Sequence, residues 1–304
     1  MHKKIIEIIG VPTDLGANLR GANMGPAAIR IAGLKAKIAA LGYSVVDSGD
    51  IAIPIRETIA DQTSNLRFLK DVVQTTKAVH ERTKASLAKG NLPILLGGDH
   101  SSAIGSLAAV SDHFSAQKKD FGVIWIDAHA DLNTPDTSPS GNIHGMPLAV
   151  ALGLGHPDLC AVGESDVEVN PKKVALIGIR TLDPKEKEIL KQVGIRYFTM
   201  REIDERGMFA VMSEAIAIAT RDTAGIHLSL DLDGIDPDYA PGVSTPVTGG
   251  ISLREAHLAM EMIADQKKLC SVDLVELNPI NDEKHRTAYL AVELMESALG
   301  KSIV

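Results

Sequence analysis

The chain has 304 residues, of which 45% are hydrophobic and 23% are charged, and its formal net charge is -8. This composition is typical of a globular protein with a substantial core. Lysine and arginine are scattered without a basic block, so the expected partner is a small molecule, not a nucleic acid and not a membrane.

The N-terminus and the cysteines indicate where the protein works. No apolar stretch approaches the roughly 18 residues that a membrane helix needs. The short apolar run of the N-terminus is interrupted by Glu7 and is not followed by a cleavage site. Cys160 and Cys270 are too few for a disulfide framework and have no CxxC spacing. A cytoplasmic protein without thiol chemistry is therefore expected.

Short β-rich runs alternate with longer amphipathic stretches from one end of the chain to the other. Strands are predicted, in chain order, at 5–11, 43–50, 92–99, 121–127, 174–180, 226–233 and 269–277. Helices are predicted at 24–42, 66–90, 184–193, 208–220, 252–264 and 284–299. This α/β alternation predicts a parallel sheet that is covered by helices on both faces.

Two features of the chain organise these elements. No linker rich in proline or serine and no charge run divides the sequence, so residues 1–304 are predicted to form a single domain. The interval 132–173 is rich in glycine and proline and is the least suited to regular structure. Substrate loops often lie in irregular segments of this kind.

Acidic residues and histidines follow four of the predicted strands. In chain order they are Asp99 and His100, then Asp127, His129 and Asp131, then Asp231 and Asp233, and finally Glu276. The carboxyl ends of parallel strands share one edge of an open sheet, and ligands bind in the crevice outside it. We therefore expect these side chains to converge.

The spacing of Asp127, His129 and Asp131 indicates a cation site. Alternate residues of an extended chain point to the same side, so two carboxylates would crowd beside an imidazole. An acidic turn that only meets water is the alternative, but the number of donors disfavours it. Two imidazoles and four aspartates are enough for two divalent ions that share carboxylates. Oxygen and nitrogen donors without a thiolate favour Mn²⁺ over a structural Zn²⁺.

His144 lies in SGNIHG, in the irregular stretch that follows the Asp127 segment. An imidazole there can reach a substrate and relay protons near neutral pH. A surface or core role is the alternative, and the sequence alone leaves both open.

Several motifs resemble the arginase branch of the ureohydrolase family. They are GGDHS at 97–101, DAHADLNTP at 127–135, SGNIHG at 140–145 and SLDLDGIDPDYAPGVSTP at 229–246. The similarity extends from IGVPTDLGANLRGANMGPAAIR at 9–30 to DLVELNP at 273–279. The resemblance implies a three-layer α/β/α fold of the arginase/deacetylase-like type, with a central, mostly parallel sheet. It also implies two Mn²⁺ per subunit, a homo-oligomer (trimer or hexamer), and hydrolysis of L-arginine to L-ornithine and urea by a metal-bridging hydroxide.

The resemblance assigns roles to the strand-end residues. His100 and Asp131 would bind one manganese ion, His129 and Asp233 the other, and Asp127 and Asp231 would bridge the pair. Asp131 is also expected among the catalytic residues, with Glu276 and His144. Glu276 would pair with the substrate guanidinium, and His144 would shuttle a proton to the leaving amine or to the metal-bound water.

Substrate contacts also carry over from the family. The residues implied are Asn133, Ser138 and Ser140 for the α-carboxylate, Asn142 nearby through water, Asp183 for the α-ammonium, and Thr245. Thr181 stands where many relatives carry an acid, and Ser138 stands where some carry threonine.

The metal motifs do not by themselves decide the substrate. Agmatinases and other guanidino or amidino hydrolases share the metal ligands. DLNTPDTSPSGNIHG at 131–145 fills the interval before His144 with polar donors and favours arginase. A metal-binding protein of the same fold without turnover is the third alternative, and the presence of every expected ligand and of His144 disfavours it.

Overall fold

The computed structural model describes residues 4–59, 65–165 and 168–302. Its strands are β1 (Ile6–Val11), β2 (Val45–Asp50), β3 (Leu92–Gly97), β4 (Gly122–Ile126), β5 (Val174–Ile179), β6 (Arg196–Thr199), β7 (Ile226–Asp231) and β8 (Leu269–Val275). They form one eight-stranded sheet in the order β2-β1-β3-β8-β7-β4-β5-β6, and every neighbouring pair is parallel. This confirms the predicted α/β class.

Helices cover both faces of the sheet. They are α1 (Gly25–Ile31), α2 (Leu34–Ala40), α3 (Leu69–Ala88), α4 (Ala103–Ser115), α5 (Pro147–Ala151), α6 (Pro157–Cys160), α7 (Pro184–Val193), α8 (Met200–Arg206), α9 (Met208–Thr220), α10 (Leu253–Asp265) and α11 (Arg286–Ala298). One face packs against α1, α2 and α8 to α11, and the other against α3, α4, α5 and α7. The three-layer α/β/α prediction is therefore confirmed.

The central strands are buried throughout, as parallel strands under two helical layers must be. Every residue of β1, β3, β4, β5, β7 and β8 is buried. Their side chains are mainly branched aliphatic and alternate between the two core layers. The sequence patterns of these strands are continuous apolar runs for this reason.

Local backbone chemistry accounts for the predicted boundaries that were wrong. The helix predicted at 24–42 is broken, because Gly33 has a φ of 92°, so that α1 ends at Ile31 and α2 begins at Leu34. Strand β6 and helices α4 and α8 were not predicted. The interval 132–173 is mostly irregular, as expected, but it contains the short helices α5 and α6, which both begin at a proline.

The topology brings the strand-end residues together. Strands β3, β8, β7 and β4 are consecutive in the sheet. Each of the four acidic segments picked out in the sequence begins at or just after the end of one of them. Since all the strands are parallel, these four ends lie side by side at one edge.

Two further observations concern the expected environment. No helix in the described ranges has the length and apolarity to cross a membrane. Cys160 and Cys270 are both free thiols. Burial raises the pKa of Cys270 to about 12, so this thiol stays protonated at neutral pH.

Candidate active site and metal centre

A cavity opens at the carboxyl edge of β3, β8, β7 and β4. The predicted site residues that line it are His100, His129, Asp131, Asn133, Ser138, Ser140, Asn142, His144, Asp183, Asp231, Asp233, Thr245 and Glu276. Asp127 is the exception: it is buried and does not line the cavity, although it contacts residues that do. The fold thus brings the predicted residues together, and their individual roles stay predictions.

His100 is the centre of a first cluster. Its Nδ1 lies 2.9 Å from Asp131 Oδ2, 3.0 Å from Asp231 Oδ2 and 3.3 Å from Asp127 Oδ2. All four side chains are almost fully buried. Three carboxylates therefore converge on one imidazole nitrogen.

His129 is the centre of a second cluster. Its Nδ1 lies 3.1 Å from Asp233 Oδ2 and 3.3 Å from Asp127 Oδ1. Asp127 thus presents one oxygen to each histidine. A shared carboxylate of this kind is what two neighbouring cations require.

The electrostatics of these clusters favours bound cations. His100 Nδ1 and Asp131 Oδ2 are buried and 2.9 Å apart, but neither atom makes a hydrogen bond of good geometry, with the other or with any other described residue. Burial raises the pKa of Asp231, and the charges of Asp233 and Asp127 raise it further. Burial and the charge of Asp127 likewise raise the pKa of Asp131 to about 6. Two divalent cations would satisfy the free atoms and offset this repulsion, so the donor set fits a binuclear site.

A third group of ligand-type side chains, His80, Asp112 and Glu164, is already satisfied. His80 Nε2 lies 2.7 Å from Asp112 Oδ2, and the main chains of Glu164 and Ser165 donate to the Asp112 carboxylate. Glu164 also pairs with Lys84. Because these bonds use the lone pairs, this group gives no indication of a metal.

The ring of His100 is fixed from two sides. Its Nε2 lies 2.8 Å from Ser229 Oγ, and Trp125 stacks on the imidazole with the ring centroids 4.3 Å apart. Trp125 Nε1 also donates to Asp127 Oδ2 at 3.0 Å. These contacts leave Nδ1 of His100 directed at the carboxylates.

In the loops that follow β4 and β7, main-chain N–H groups donate to aspartate side chains of the same loop. His129 N donates to Asp127 Oδ1 at 2.6 Å, and Asp233 N donates to Asp231 Oδ1 at 2.7 Å. Asp131 has a φ of 51°, in the left-handed region that non-glycine residues rarely occupy. Its carbonyl accepts hydrogen bonds from the first turn of α5. Strain of this kind is typical of functional sites.

Glu276 and His144 form a pair at the cavity wall. Glu276 Oε1 accepts a hydrogen bond from His100 N at 2.8 Å and lies 3.0 Å from His144 Nδ1. Burial would lower the pKa of His144, but the Glu276 carboxylate outweighs it and raises the pKa to about 9. Glu276 Oε2 is buried and has no hydrogen-bond partner in the described part of the chain. One carboxylate oxygen therefore remains available to a cationic ligand.

Polar side chains form the outer wall of the cavity. Asn133 Nδ2 donates to Asp183 Oδ2 at 2.9 Å, which joins two of the predicted substrate residues. Ser140 Oγ lies 3.5 Å from Ser138 Oγ. Thr245 Oγ1 donates to Asp233 Oδ2 at 2.8 Å, so Thr245 contacts a predicted metal ligand.

Sequence reasoning missed Glu186, which also lines the cavity. Its carboxylate accepts from Leu132 N at 3.0 Å and from Asp183 N at 3.2 Å. Burial raises its pKa to about 7, and the negative charges of Asp131 and Asp183 contribute. The available signal was the capping-box spacing, since Glu186 is the third residue of α7 after the N-cap Asp183.

Comparison with known proteins relates this geometry to one family. The model of the arginase family matches residues 4–300. A protein named arginase from Bacillus caldovelox is 49% identical over 302 residues, which cover 99% of this chain and 100% of that protein. An arginase from Brevibacillus brevis is 48% identical, with 99% of each chain covered.

Solved structures agree with these relatives. The native structure of the B. caldovelox arginase superposes with a TM-score of 0.95, covering 99% of this chain and 100% of that one at 49% identity. The structure of an Entamoeba histolytica arginase in complex with L-ornithine has a TM-score of 0.91 at 35% identity, with 99% and 100% of the chains covered. The chain belongs to the arginase family.

Proposed function

We propose that this protein hydrolyses L-arginine to L-ornithine and urea with two manganese ions per subunit. It is an enzyme of the arginase type, a hydrolase of the amidine C–N bond. The observation that carries the proposal is the paired cluster of His100 and His129 around Asp127, with the free oxygen of Glu276 in the same cavity. These groups suit a cationic electrophile such as a guanidinium.

The six aspartates and histidines at the strand ends would hold the ions. We assign His100 and Asp131 to one ion, His129 and Asp233 to the other, and Asp127 and Asp231 to both. When bound, the two cations would supply a hydroxide at neutral pH. Such a strong nucleophile is needed because the resonance-stabilised guanidinium is a poor electrophile. Oxygen and nitrogen donors without sulfur suit Mn²⁺. Asp131 also lines the cavity, and we count it among the catalytic residues.

Glu276 and His144 would act on the substrate itself. Glu276 Oε2 has the charge to pair with the guanidinium and to fix its orientation. When Glu276 pairs with the guanidinium, its negative charge stabilises the protonated His144 less. The imidazolium can then release its proton more readily to the leaving ornithine amine. The hydrogen bond between the two side chains already orients that ring.

Recognition of the α-carbon would come from the outer wall. Asn133, Ser138 and Ser140 offer neutral donors for the α-carboxylate, with Asn142 reached through water. The Asp183 carboxylate would pair with the α-ammonium. Thr245 would support both the substrate and Asp233. This set of groups supports L-arginine over agmatine, which has no α-carboxylate.

We also propose that the 304 residues act as one catalytic domain in the cytoplasm, within a homo-oligomer that is a trimer or a hexamer. The single sheet supports one domain, although residues 1–3, 60–64, 166–167 and 303–304 of the predicted span lie outside the described residues. The oligomer is proposed from the family resemblance. Light scattering coupled to size-exclusion chromatography measures its mass.

Urea release tests the activity. The protein is loaded with Mn²⁺ and assayed with L-arginine, D-arginine, agmatine and 4-guanidinobutyrate, which share a guanidinium and differ at the α-carbon. We expect a strong preference for L-arginine. A preference for agmatine would retain the metal chemistry and contradict the substrate assignment.

Metal identity needs a separate comparison. Stripped protein is loaded with Mn²⁺, Co²⁺ or Fe²⁺ and the rates of urea release are compared. Highest activity with Mn²⁺ is expected from the oxygen-rich ligand set. Higher activity with either of the other ions would contradict the manganese assignment without affecting the substrate assignment.

A further inference from the structure

Arg180 follows β5 and directs its guanidinium at the loop that carries Asp233. Within the described ranges, all hydrogen bonds of this guanidinium go to main-chain carbonyls. Nη2 donates to the carbonyls of Asp233 at 2.6 Å and Val247 at 2.8 Å. Nη1 donates to the carbonyls of Gly234 at 3.0 Å and Gly178 at 3.2 Å. A single side chain thus joins three separate segments.

This arrangement depends on the chemistry of arginine. The guanidinium is planar and permanently charged, and it presents five N–H donors in a fixed fork. Carbonyl oxygens on several sides can therefore be engaged at once. A lysine ammonium is a compact charge with three donors and cannot span the same carbonyls. Gly250 contributes the necessary space, since a Cβ there would lie 2.7 Å from Arg180 Nη2.

The main chain of Arg180 holds a second ligand segment. Arg180 N donates to the carbonyl of Ala128 at 3.0 Å, and Ala128 lies between Asp127 and His129. Ala128 N in turn donates to Asp233 Oδ1 at 3.2 Å. Arg180 therefore connects the loop of His129 to the loop of Asp233, and both of these residues belong to the second cluster.

The other cluster is held by different contacts. His100 is fixed by Ser229, Trp125 and Glu276, and the main chain of Asp131 is fixed by α5. The hydrogen bonds of the Arg180 guanidinium do not reach these groups. An effect of Arg180 on the metals should therefore be unequal between the two sites.

We propose that Arg180 is a positioning residue for the cation bound by His129 and Asp233. This inference rests on the proposed pair of metal ions. Arg180 acts by fixing the distance between the two loops, so that the imidazole of His129 and the carboxylate of Asp233 face one ion before it binds. Residues that orient metal ligands in this way typically change metal affinity by about 10- to 100-fold.

The test compares Arg180→Met and Arg180→Lys with the parent protein, with Mn²⁺ as the probe. Each protein is stripped, equilibrated with graded Mn²⁺ and analysed for bound ions per chain and by electron paramagnetic resonance, which distinguishes isolated from coupled Mn²⁺. We expect Arg180→Met to bind one ion about 10- to 100-fold more weakly than the parent. It then holds one isolated ion where the parent holds a coupled pair. Arg180→Lys should also lose the second ion, since one ammonium cannot replace the fork.

Arg196→Met is the matched control. Arg196 is also half-buried, but it pairs with Glu202 and Glu214 at the edge strand β6. Its loss should reduce stability and leave two ions per chain. Arg180→Lys keeps the test decisive if Arg180→Met does not fold.

Each remaining outcome would count against the inference. Two ions bound to the Arg180 variants with the parent's affinities would overturn it and leave the proposed function intact. Equal weakening of both ions would show general destabilisation and would also overturn it. A parent protein that binds fewer than two ions would overturn the proposed metal pair and this inference together.

Discussion

His144 and Glu276 show how one buried contact sets a charge state. The side chain of Glu276 is 1% exposed and that of His144 is 17% exposed. Burial opposes the charge on both, and their mutual attraction outweighs it, so the pKa of Glu276 is lowered and that of His144 is raised to about 9. Because the folded-state pKa of His144 lies above its unfolded value, the charged histidine contributes stability that is fully present below its unfolded pKa, as long as Glu276 is ionised. That stability is lost as the pH rises through about 9.

The first prediction removes the charge of Glu276. In the metal-free Glu276→Gln variant, the pKa of His144 should fall from about 9 toward its ordinary value, because burial lowers it and only the smaller effects of the Asp99 and Asp131 charges still raise it. Nuclear magnetic resonance titration of the His144 ring measures this directly. An unchanged pKa would show that Glu276 does not hold the proton on His144.

The second prediction separates the terminal ligands from the bridging ones. His129→Ala should lower the manganese content by one ion per chain, since only one cluster contains this ring. Asp127→Asn should weaken both ions, because each of its oxygens faces a different histidine. Elemental analysis after dialysis against fixed Mn²⁺ measures both variants. If both retained two ions, the ligand assignment would be wrong.

The third prediction concerns Asp183. Asp183→Asn removes the negative charge but keeps a side chain that caps helices well, so α7 should remain intact. A charge-assisted contact to the α-ammonium contributes about 1.5–3 kcal/mol to binding, so its loss should raise KM for L-arginine by about 10- to 100-fold. D-Arginine and 4-guanidinobutyrate serve as comparisons, and the latter has no α-ammonium. Equal changes for L-arginine and 4-guanidinobutyrate would contradict the assignment.

At the scale of elements, helices α3 and α4 meet at a glycine. A Cβ on Gly105 would lie 2.3 Å from the carbonyl of Thr76 and 2.7 Å from Val79 Cβ. Alanine at this position must therefore separate the two helices, although alanine favours a helix more than glycine does. Overpacking of this kind costs about 1–3 kcal/mol.

The fourth prediction is that Gly105→Ala lowers the free energy of unfolding by about that amount. Urea denaturation of the metal-free protein measures it. Gly163→Ala is the control, since its added Cβ would have no neighbour closer than 3.5 Å and should change stability by less than about 0.5 kcal/mol. A Gly105→Ala variant as stable as this control would show that α3 and α4 are free to move apart.

The elements also show what the sequence could predict. The bounds of α7 and α9 were predicted correctly. Helix α7 begins at Pro184 and is followed by Gly194, and helix α9 is preceded by Gly207. Strand β6 was missed because it has four residues at the sheet edge and only one of them is buried. Such a strand takes its conformation from pairing with β5, and no local periodicity signals it.

The candidate site, too, could be predicted from the sequence only in part. The strand-end rule predicted the convergence of the aspartates and histidines, because parallel topology places all carboxyl ends on one edge. The contacts of Arg180 could not be predicted in this way. Its partners are main-chain carbonyls, which every residue has, so the sequence carries no sign of them.

At the scale of the whole molecule, the predicted metal ligands lie on loops that are distant from one another in the chain. They follow β3, β4 and β7, and Glu276 adds the end of β8. In the metal-free protein, the burial of these carboxylates and the repulsion between them oppose folding, as the raised pKa values of Asp231 and Asp233 indicate. Cations that bind only the folded state should therefore stabilise the entire domain.

The fifth prediction is that the melting temperature of the stripped protein rises with Mn²⁺ concentration. At about 100 times the dissociation constant, one bound ion contributes about 2.7 kcal/mol, and two ions contribute more. In a protein of this size this corresponds to a rise of at least several degrees. Differential scanning calorimetry at graded Mn²⁺ measures the rise, and excess chelator should reverse it.

The position of the ligands makes this prediction sensitive to how the fold is held together. If the sheet and its helices unfold as one unit, ions at the carboxyl edge must stabilise the helices at the opposite edge as much as the loops that bind them. The control is Asp127→Asn, whose melting temperature should respond weakly to Mn²⁺ because both clusters share this carboxylate. A single calorimetric transition that moves with Mn²⁺ in the parent alone would link the ions to the fold as a whole. Two transitions, of which one ignores Mn²⁺, would show that the metal edge unfolds independently and would contradict the proposed single domain.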